Sequence, residues 1–295
     1  MRVLVLGGLG MLGHQLARTL SKQGETWATV RAHSDLELAG ECLPGVSVFP
    51  GVDALRFETV AAALDEVRPD AIVNCIGIIK QDQLAKRPIP SIRINSLFPH
   101  LVSEYCQYKS IRFVHISTDC VFSGLKGNYE ESDIPDANDL YGRTKHLGEV
   151  SSPDLTLRTS IIGPELRTSR SLLDWFTSQE GKVNGYTKAI FSGLTTLELS
   201  RVIARVLHEW EGLAGLYHLS ADPISKHDLL GLVRDSFNLP MTIEPSDTLQ
   251  IDRSLNSTRF KTITGYQPPS WPEMVGELAP IYSQKIAGGN YVITR

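Results

Sequence analysis

The first twenty residues constrain the fold more than any other stretch. A short apolar, β-rich run over residues 1–6 meets Gly7, Gly10 and Gly13, and Leu12, Leu16 and Leu20 then recur at helical spacing with Ala17 beside them. Strand, glycine turn, helix is the local order that a dinucleotide-binding fingerprint requires. The spacing is G-x-x-G-x-x-G rather than G-x-G-x-x-G. Glycines there permit positive φ, close approach of a pyrophosphate and tight packing of helix on strand. The helix N-terminus adds unpaired N–H groups and the positive end of its dipole. Packing alone is the plainer explanation of the same glycines.

The alternation continues down the chain. Residues 26–30, 46–49, 71–76, 112–116 and 155–158 read as further strands, the second ending at Arg31 and the fourth closing on Gly77. Phe57, Val60, Ala61, Leu64 and Val67 form a helical stripe that Pro69 ends, and residues 95–108 and 141–150 read as helices. Strands alternating with helices imply parallel strands and right-handed crossovers, an α/β Rossmann-type doubly wound sheet with ligands beyond its carboxyl edge. After Arg158 the pattern loosens. Residues 164–170 are a polar loop, 172–176 an aromatic-rich helix, 197–210 an amphipathic helix, 215–219 a strand and 225–237 a helix; prolines and short segments follow from Pro240. The expected division is a nucleotide-binding domain of residues 1–160, with 195–221 and about 251–265, and a smaller C-terminal substrate-binding subdomain of 161–194, 222–250 and 266–295. Residues 286–295 carry no readable pattern.

Composition narrows the partners. A net charge of -4 without a basic run argues against nucleic acid or an anionic membrane surface. No apolar run approaches the roughly 18 residues of a membrane-spanning helix. Arg2 before Val3-Leu4-Val5-Leu6 imitates the start of a signal peptide, but glycines interrupt the run and no small-residue cleavage site follows. Cys42, Cys75, Cys106 and Cys120 form no close pair, so the expectation is a reducing cytoplasm, with no disulfide framework and no metal site.

Two stretches carry chemistry. Tyr141 and Lys145 stand four residues apart, on one face of a helix that Asn138-Asp139 can cap. A lysine ammonium one turn from a phenol is expected to favour the phenolate and to bring the tyrosine toward working range. An ordinary solvated helix face has the same spacing. Ser117-Thr118-Asp119 closes the fifth strand, at the ligand edge. Arg31, with Ser34 close behind, stands where many NAD enzymes carry an acid toward the ribose; a guanidinium there suits a 2′-phosphate.

Taken together, Gly7-x-x-Gly10-x-x-Gly13, the run His115-Ile116-Ser117-Thr118-Asp119-Cys120-Val121-Phe122 and Tyr141-x-x-x-Lys145 resemble the extended short-chain dehydrogenase/reductase family. Ser-Thr-Asp-x-Val-Phe followed by Tyr-Gly-Arg-Thr-Lys-x-x-Gly-Glu narrows the resemblance to the dTDP-4-dehydrorhamnose reductase subgroup, which acts on nucleotide-activated deoxysugars. Arg158-Thr159-Ser160, Gly215-Leu216-Tyr217-His218-Leu219 and Arg253-Ser254-Leu255-Asn256-Ser257 agree with it. The resemblance implies an NAD(P)H-dependent oxidoreductase of a nucleotide-linked 4-keto-6-deoxysugar, serving polysaccharide precursors. Tyr141 would be the proton donor, Lys145 its tuner and the holder of the nicotinamide ribose, and Thr118 a hydrogen-bond donor to the reacting oxygen. Gly7, Gly10, Met11, Leu12 and Gly13 would cradle the pyrophosphate, Asp53 and Ala54 border the adenine, and Cys75, Ile76 and Gly77 line the cofactor. Thr118, Asp119, Val121, Tyr141 and Arg253 would meet the substrate, with Arg253 on its diphosphate; a surface pairing of Arg253 with Asp252 or Glu244 is the alternative. NADPH is the expected cofactor, with NADH as second choice, and a homodimer is an assembly the family uses. Cys120 departs from the subgroup, where tyrosine is common. A 4-epimerase or dehydratase of the same fold, and a catalytically silent NADP-binding regulatory subunit, are the competing readings.

Overall fold

Val3 and Val5 project to one side of the first strand and Leu4 and Leu6 to the other, and all four are buried. A strand buried on both faces belongs inside a parallel sheet covered by helices on each side. The computed structural model, which describes residues 1–286, has that arrangement. Its main sheet holds β1 (Val3–Leu6), β2 (Thr26–Thr29), β3 (Ser47–Phe49), β4 (Ala71–Asn74), β5 (Arg112–Thr118), β6 (Leu155–Thr159) and, later in the chain, β11 (Gly215–His218). The spatial order is β11-β6-β5-β4-β1-β2-β3, and every pairing is parallel. The order reverses between β1 and β4, so the crevice for a ligand opens beyond Leu6 and Asn74.

Helices cover both faces. The first of them, α1 (Met11–Leu20), packs with α8 (Thr196–His208) over Val3, Val5 and Val73. On the other face α3 (Phe57–Val67) and α5 (Phe98–Lys109) bury Val60, Leu64, Phe98 and Val102 against Leu4, Leu6 and Ile72. Each such fully buried side chain contributes about 1.5–3 kcal/mol. Before α5 the chain is already helical through α4 (Pro88–Ser91) and a π-helical stretch, Ile92–Leu97, so the helix expected over 95–108 starts earlier. The helix expected over 141–150 is α6 (Leu140–Leu147), cut short by Gly148. A Cβ on Gly148 would come 1.9 Å from the Asn95 carbonyl oxygen, and one on Gly142 would come 2.2 Å from that of Cys120. These two glycines let α6 seat against the π-helical stretch and against the segment that follows β5.

Short strands make up the rest. Beyond β6 lie β7 (Ile161–Ile162), α7 (Leu172–Thr177), β8 (Lys182–Tyr186), β9 (Ala189–Phe191) and β10 (Leu194–Thr195). After β11 come β12 (Ile224–Ser225), α9 (Lys226–Ser236), β13 (Thr242–Ser246), β14 (Ile251–Asp252), α10 (Thr258–Thr264) and α11 (Trp271–Ile286). β13 pairs with β8, and β9 lies between β12 and β14. Ile251–Asp252, assigned from the sequence to the nucleotide-binding half, therefore joins the small sheet, because its ladder partners are Ala189 and Ile190. The tail 287–295 lies outside the described residues.

A buried ion pair ties α6 to the sheet. Arg158, on β6, donates its Nε and Nη2 to the two oxygens of Glu149, each at 2.7 Å. Ser117, on β5, donates to the same carboxylate at 2.6 Å. The Arg158 guanidinium lies 5.2 Å from the Phe122 ring and donates to Nε2 of His218, which in turn donates from Nδ1 to the Tyr129 carbonyl. Burial by itself would raise the Glu149 carboxyl; hydrogen bonds from Arg158, His146 and Ser117 outweigh it and hold the group at about 2.

A group whose pKa is depressed on folding adds stability above its ordinary 4.5 and loses it as pH falls toward the folded value. Glu149→Gln leaves the Arg158 charge buried without its partner, at a cost of about 3–5 kcal/mol at pH 7. The expected outcome of urea unfolding is a wild-type advantage that is full at pH 7 and shrinks between pH 4.5 and 2. An advantage independent of pH over that window would show that the carboxylate is not the source.

Candidate active site

The turn after β1 is shaped by its glycines. Gly7 has φ +86°, and a Cβ on Gly13 would come 2.1 Å from the Gly7 carbonyl oxygen. Helix α1 therefore starts almost on top of the turn, with Gly10 as its N-cap residue and no side chain capping it. The first-turn N–H groups of such a helix lack intrahelical partners. Uncapped N–H groups, a dipole end and room for a close approach are what a pyrophosphate needs, so these residues fit a dinucleotide.

A cleft of about 800 Å³ opens in front of this turn. Gly10, Met11 and Leu12 line it on one side, Cys75, Ile76 and Gly77 beyond β4 line its floor, and Thr118, Asp119, Tyr141 and Lys145 stand opposite. The sequence placed these residues at one sheet edge, and the fold brings them into one cavity. A second cleft, of about 550 Å³, lies at the amino edge beside Met1, Arg112 and Asp154 and holds none of the motif residues. Among the described residues no helix is long and apolar enough to cross a membrane.

Tyr141 and Lys145 are presented by α6. Asp139 caps this helix by accepting from the Gly142 N–H at 2.8 Å. The Lys145 Nζ donates to the Ile116 carbonyl at 2.8 Å. Burial lowers Lys145 to about 8, against the pull of Glu149 and the Cys75 thiol. Tyr141 moves the other way from the sequence expectation. Desolvation, joined by the neighbouring Cys120 and Asp119, lifts its phenol far above the ordinary range, and a hydrogen bond with Thr118 only partly offsets this. Helical spacing alone suggested a phenolate; the dry site instead keeps the phenol neutral, which is the form that donates a proton. Burial likewise pushes the Cys75 and Cys120 thiols up to about 12.

Thr118 ends β5 with its hydroxyl donating to Asp119 Oδ1 at 3.1 Å and accepting from the Cys120 N–H at 3.1 Å. Burial raises the Asp119 carboxyl despite the attraction of Arg253 and hydrogen bonds from Cys120, Thr118 and Ser160. Arg253 lines the cleft and donates Nε to the Phe122 carbonyl at 2.7 Å. Glu244 pairs instead with Lys182, and Asp252 accepts from the Ser254 N–H, so the surface pairing of Arg253 does not form. Val121 is fully buried with Phe122, Tyr129 and Leu255 and does not line the cleft, contrary to its expected place at the substrate. Arg31 and Ser34 are exposed after β2, and the Arg31 guanidinium stands 3.9 Å from Asp53, with Ala54 next to it in sequence.

The sequence offered no role for several residues that line or support the cleft. Asn95, in the π-helical stretch, holds Ile78 through both main-chain groups, at 2.8 Å and 3.1 Å. Residues 165–171 cross the cleft as a strap: Arg167 reaches Asp35 at 2.6 Å and Arg170 reaches Asp82 at 3.1 Å. Lys226 enters from α9. Their partners lie far away in sequence, so no local pattern marks them. Glu149, in contrast, stood in the quoted Lys-x-x-Gly-Glu run.

Comparison with known proteins agrees with the geometry. The family model described as RmlD substrate binding domain matches residues 1–170. A probable low-salt glycan biosynthesis reductase, Agl14, of Haloferax volcanii is 34% identical over 168 residues, 55% of this chain and 54% of that protein. The dTDP-4-keto-6-deoxy-D-glucose reductase of Streptomyces niveus is 32% identical over 155 residues, covering 52% and 48%. The chain thus spans about half the length of these curated relatives. A hypothetical dTDP-4-dehydrorhamnose reductase from Sulfolobus tokodaii superposes with a TM-score of 0.75 at 26% identity, over 92% of this chain and 98% of that one. With the matched segment holding the glycine turn, Thr118, Tyr141 and Lys145, the chain belongs to the RmlD substrate-binding family of the extended short-chain dehydrogenases/reductases.

Proposed function

We propose that the chain is a nicotinamide-dependent reductase of a nucleotide-linked 4-keto-6-deoxysugar, with NADPH as its preferred reductant. One observation carries this reading: the half-buried Tyr141 phenol, kept neutral by desolvation, stands beside the Thr118 hydroxyl in a cleft whose far wall is an uncapped glycine turn. When bound, the reduced nicotinamide supplies the hydride. The chain's own residues orient the carbonyl and supply the proton. Thr118 is placed to hydrogen-bond the carbonyl oxygen, and Tyr141 to protonate the alkoxide as it develops. Lys145, fixed on the Ile116 carbonyl and buried in the cleft one helical turn from Tyr141, would hold the nicotinamide ribose. The names of these two relatives, both reductases, point the same way. Incubating the protein with NADPH and a panel of 4-keto nucleotide sugars tests the reading by loss of nicotinamide absorbance. Interconversion of sugars without net oxidation of NADPH would favour an epimerase. Tight NADPH binding without turnover on any sugar would favour the regulatory subunit.

Three variants separate the roles. Tyr141→Phe keeps the ring and removes the transferable proton, so turnover is expected to fall at least ~100-fold with NADPH affinity largely kept; near-normal turnover would remove Tyr141 from the acid role. Arg31→Ala is expected to weaken NADPH roughly tenfold, about 1.4 kcal/mol, and NADH little, since an exposed guanidinium is partly screened. Equal losses on both cofactors, or a wild-type preference for NADH, would contradict the 2′-phosphate role. Arg253→Ala is expected to raise the KM for the sugar nucleotide well above any change in the KM for NADPH, with kcat nearly kept, as for uniform binding. An unchanged substrate KM would place the diphosphate elsewhere.

A further inference from the structure

Six cationic side chains line the cleft: Lys80, Lys145, Arg167, Arg170, Lys226 and Arg253. Three of them end on carboxylates, Lys80 on Asp139, Arg167 on Asp35 and Arg170 on Asp82. Lys145 is held by a carbonyl, and so is the Nε of Arg253. Lys226 is different. Its side chain makes neither a hydrogen bond nor an ion pair among the described residues, although it is half-buried. A half-buried ammonium with no hydrogen bond or ion pair has lost part of its hydration for only a longer-range attraction.

The small sheet sets Lys226 beside Arg253. Ser225 on β12 and Asp252 on β14 are both ladder partners of Ile190 on the central strand β9. Lys226, the first residue of α9, follows Ser225, and Arg253 follows Asp252, so the two flank β9 on its two sides. β12 runs antiparallel to β9 and β14 parallel, so they step away from Ile190 toward opposite ends of β9, and all three residues line the cleft. Two strand spacings and an offset of two residues along β9 separate them, on the order of 12 Å at the backbone, which two long side chains can close. Each charge acts on the other, and Asp119 is the acid that attracts both. Two cations that share the attraction of one carboxylate, neither of them in an ion pair with it, leave a positive charge uncompensated in a partly dry cavity.

We propose that Lys226 is the second cationic ligand, with Arg253, of a diphosphate on the substrate, and that it makes the site select diphosphates over monophosphates. This rests on reading the cleft as a nucleotide-sugar site. The chemistry divides between the two side chains. A guanidinium takes one phosphoryl group bidentately, and an ammonium on a flexible stem acts as a point charge for the other. A monophosphate offers only one group, which Arg253 satisfies alone.

Calorimetric titration of the full chain with inorganic pyrophosphate, dTDP and dTMP tests this, in the wild type and in Lys226→Met, Lys226→Gln and Lys226→Arg. The wild type is expected to bind dTDP at least ~10-fold more tightly than dTMP. The Met and Gln variants should lose ~10–100-fold on dTDP and pyrophosphate and little on dTMP, while the Arg variant keeps most of the affinity. Unchanged NADPH affinity and thermal unfolding would certify the fold of each variant. With a turned-over nucleotide sugar, Lys226→Met should raise KM and leave kcat within about threefold. Three results overturn the proposal: dTDP affinity of the Met and Gln variants within about twofold of wild type, a wild type that binds dTDP no better than dTMP, or no binding of pyrophosphate and dTDP at all. Binding of pyrophosphate that depends on Lys226, in a protein that reduces no 4-keto sugar, would keep the diphosphate site and remove the reductase reading. Reduction with Lys226-independent dTDP binding would do the reverse.

Discussion

The buried pair of Glu149 and Arg158 is the interaction on which the site depends. Two charges in the interior are worth having only if their geometry and remaining hydrogen bonds repay desolvation. Here they do: two bonds at 2.7 Å join the pair, Ser117 and His146 complete the carboxylate, and His218 and the Phe122 ring complete the guanidinium. The pair joins β5, β6 and β11 to the end of α6, and through His218 and Tyr129 to the loop behind Thr118. Tyr141 and Lys145 inherit their positions from that junction. The glycines of α6 are its steric counterpart, because any side chain at Gly142 or Gly148 would lift the helix away from the backbone it touches.

Much of this was legible in the sequence, for a physical reason. Period-two and period-3.6 patterns report burial directly, and the main sheet is buried on both faces, so its strands and the order of its helices could be read from residues 1–160. The glycine turn was legible because only glycine tolerates the backbone of Gly7 and the contact at Gly13. The corrections fall where those signals stop. Strands of two residues, such as β12 and β14, have no period to detect, so the side to which Ile251–Asp252 belongs depended on a partner sixty residues earlier. Val121 ends the single 3-10 turn Asp119–Val121, and its fully buried side chain is set by packing with Phe122, Tyr129 and Leu255 rather than by its place in a motif.

The electrostatics of Tyr141 teach a narrower lesson. Four-residue spacing fixes which face two side chains share, but it says nothing about how dry that face is. In water a neighbouring ammonium favours the phenolate; in this cleft desolvation is the larger effect on both groups, and it drives each toward its uncharged form. The same dryness that keeps the phenol protonated pushes the Cys75 and Cys120 thiols up, so cysteines in the middle of the site are poor nucleophiles.

The small sheet has a mechanical consequence. Seven parallel strands with helices on both sides open only at a cost near that of unfolding the whole domain, whereas a sheet built from strands of two or three residues has few ladder bonds to lose. The wall that holds the glycine turn and Tyr141 is therefore the stiff half of the cleft, and the wall that carries Lys226 and Arg253 is the compliant half. Rigid atoms stand where a reaction needs sub-ångström placement, and the yielding ones stand where a bulky ligand has to enter and leave.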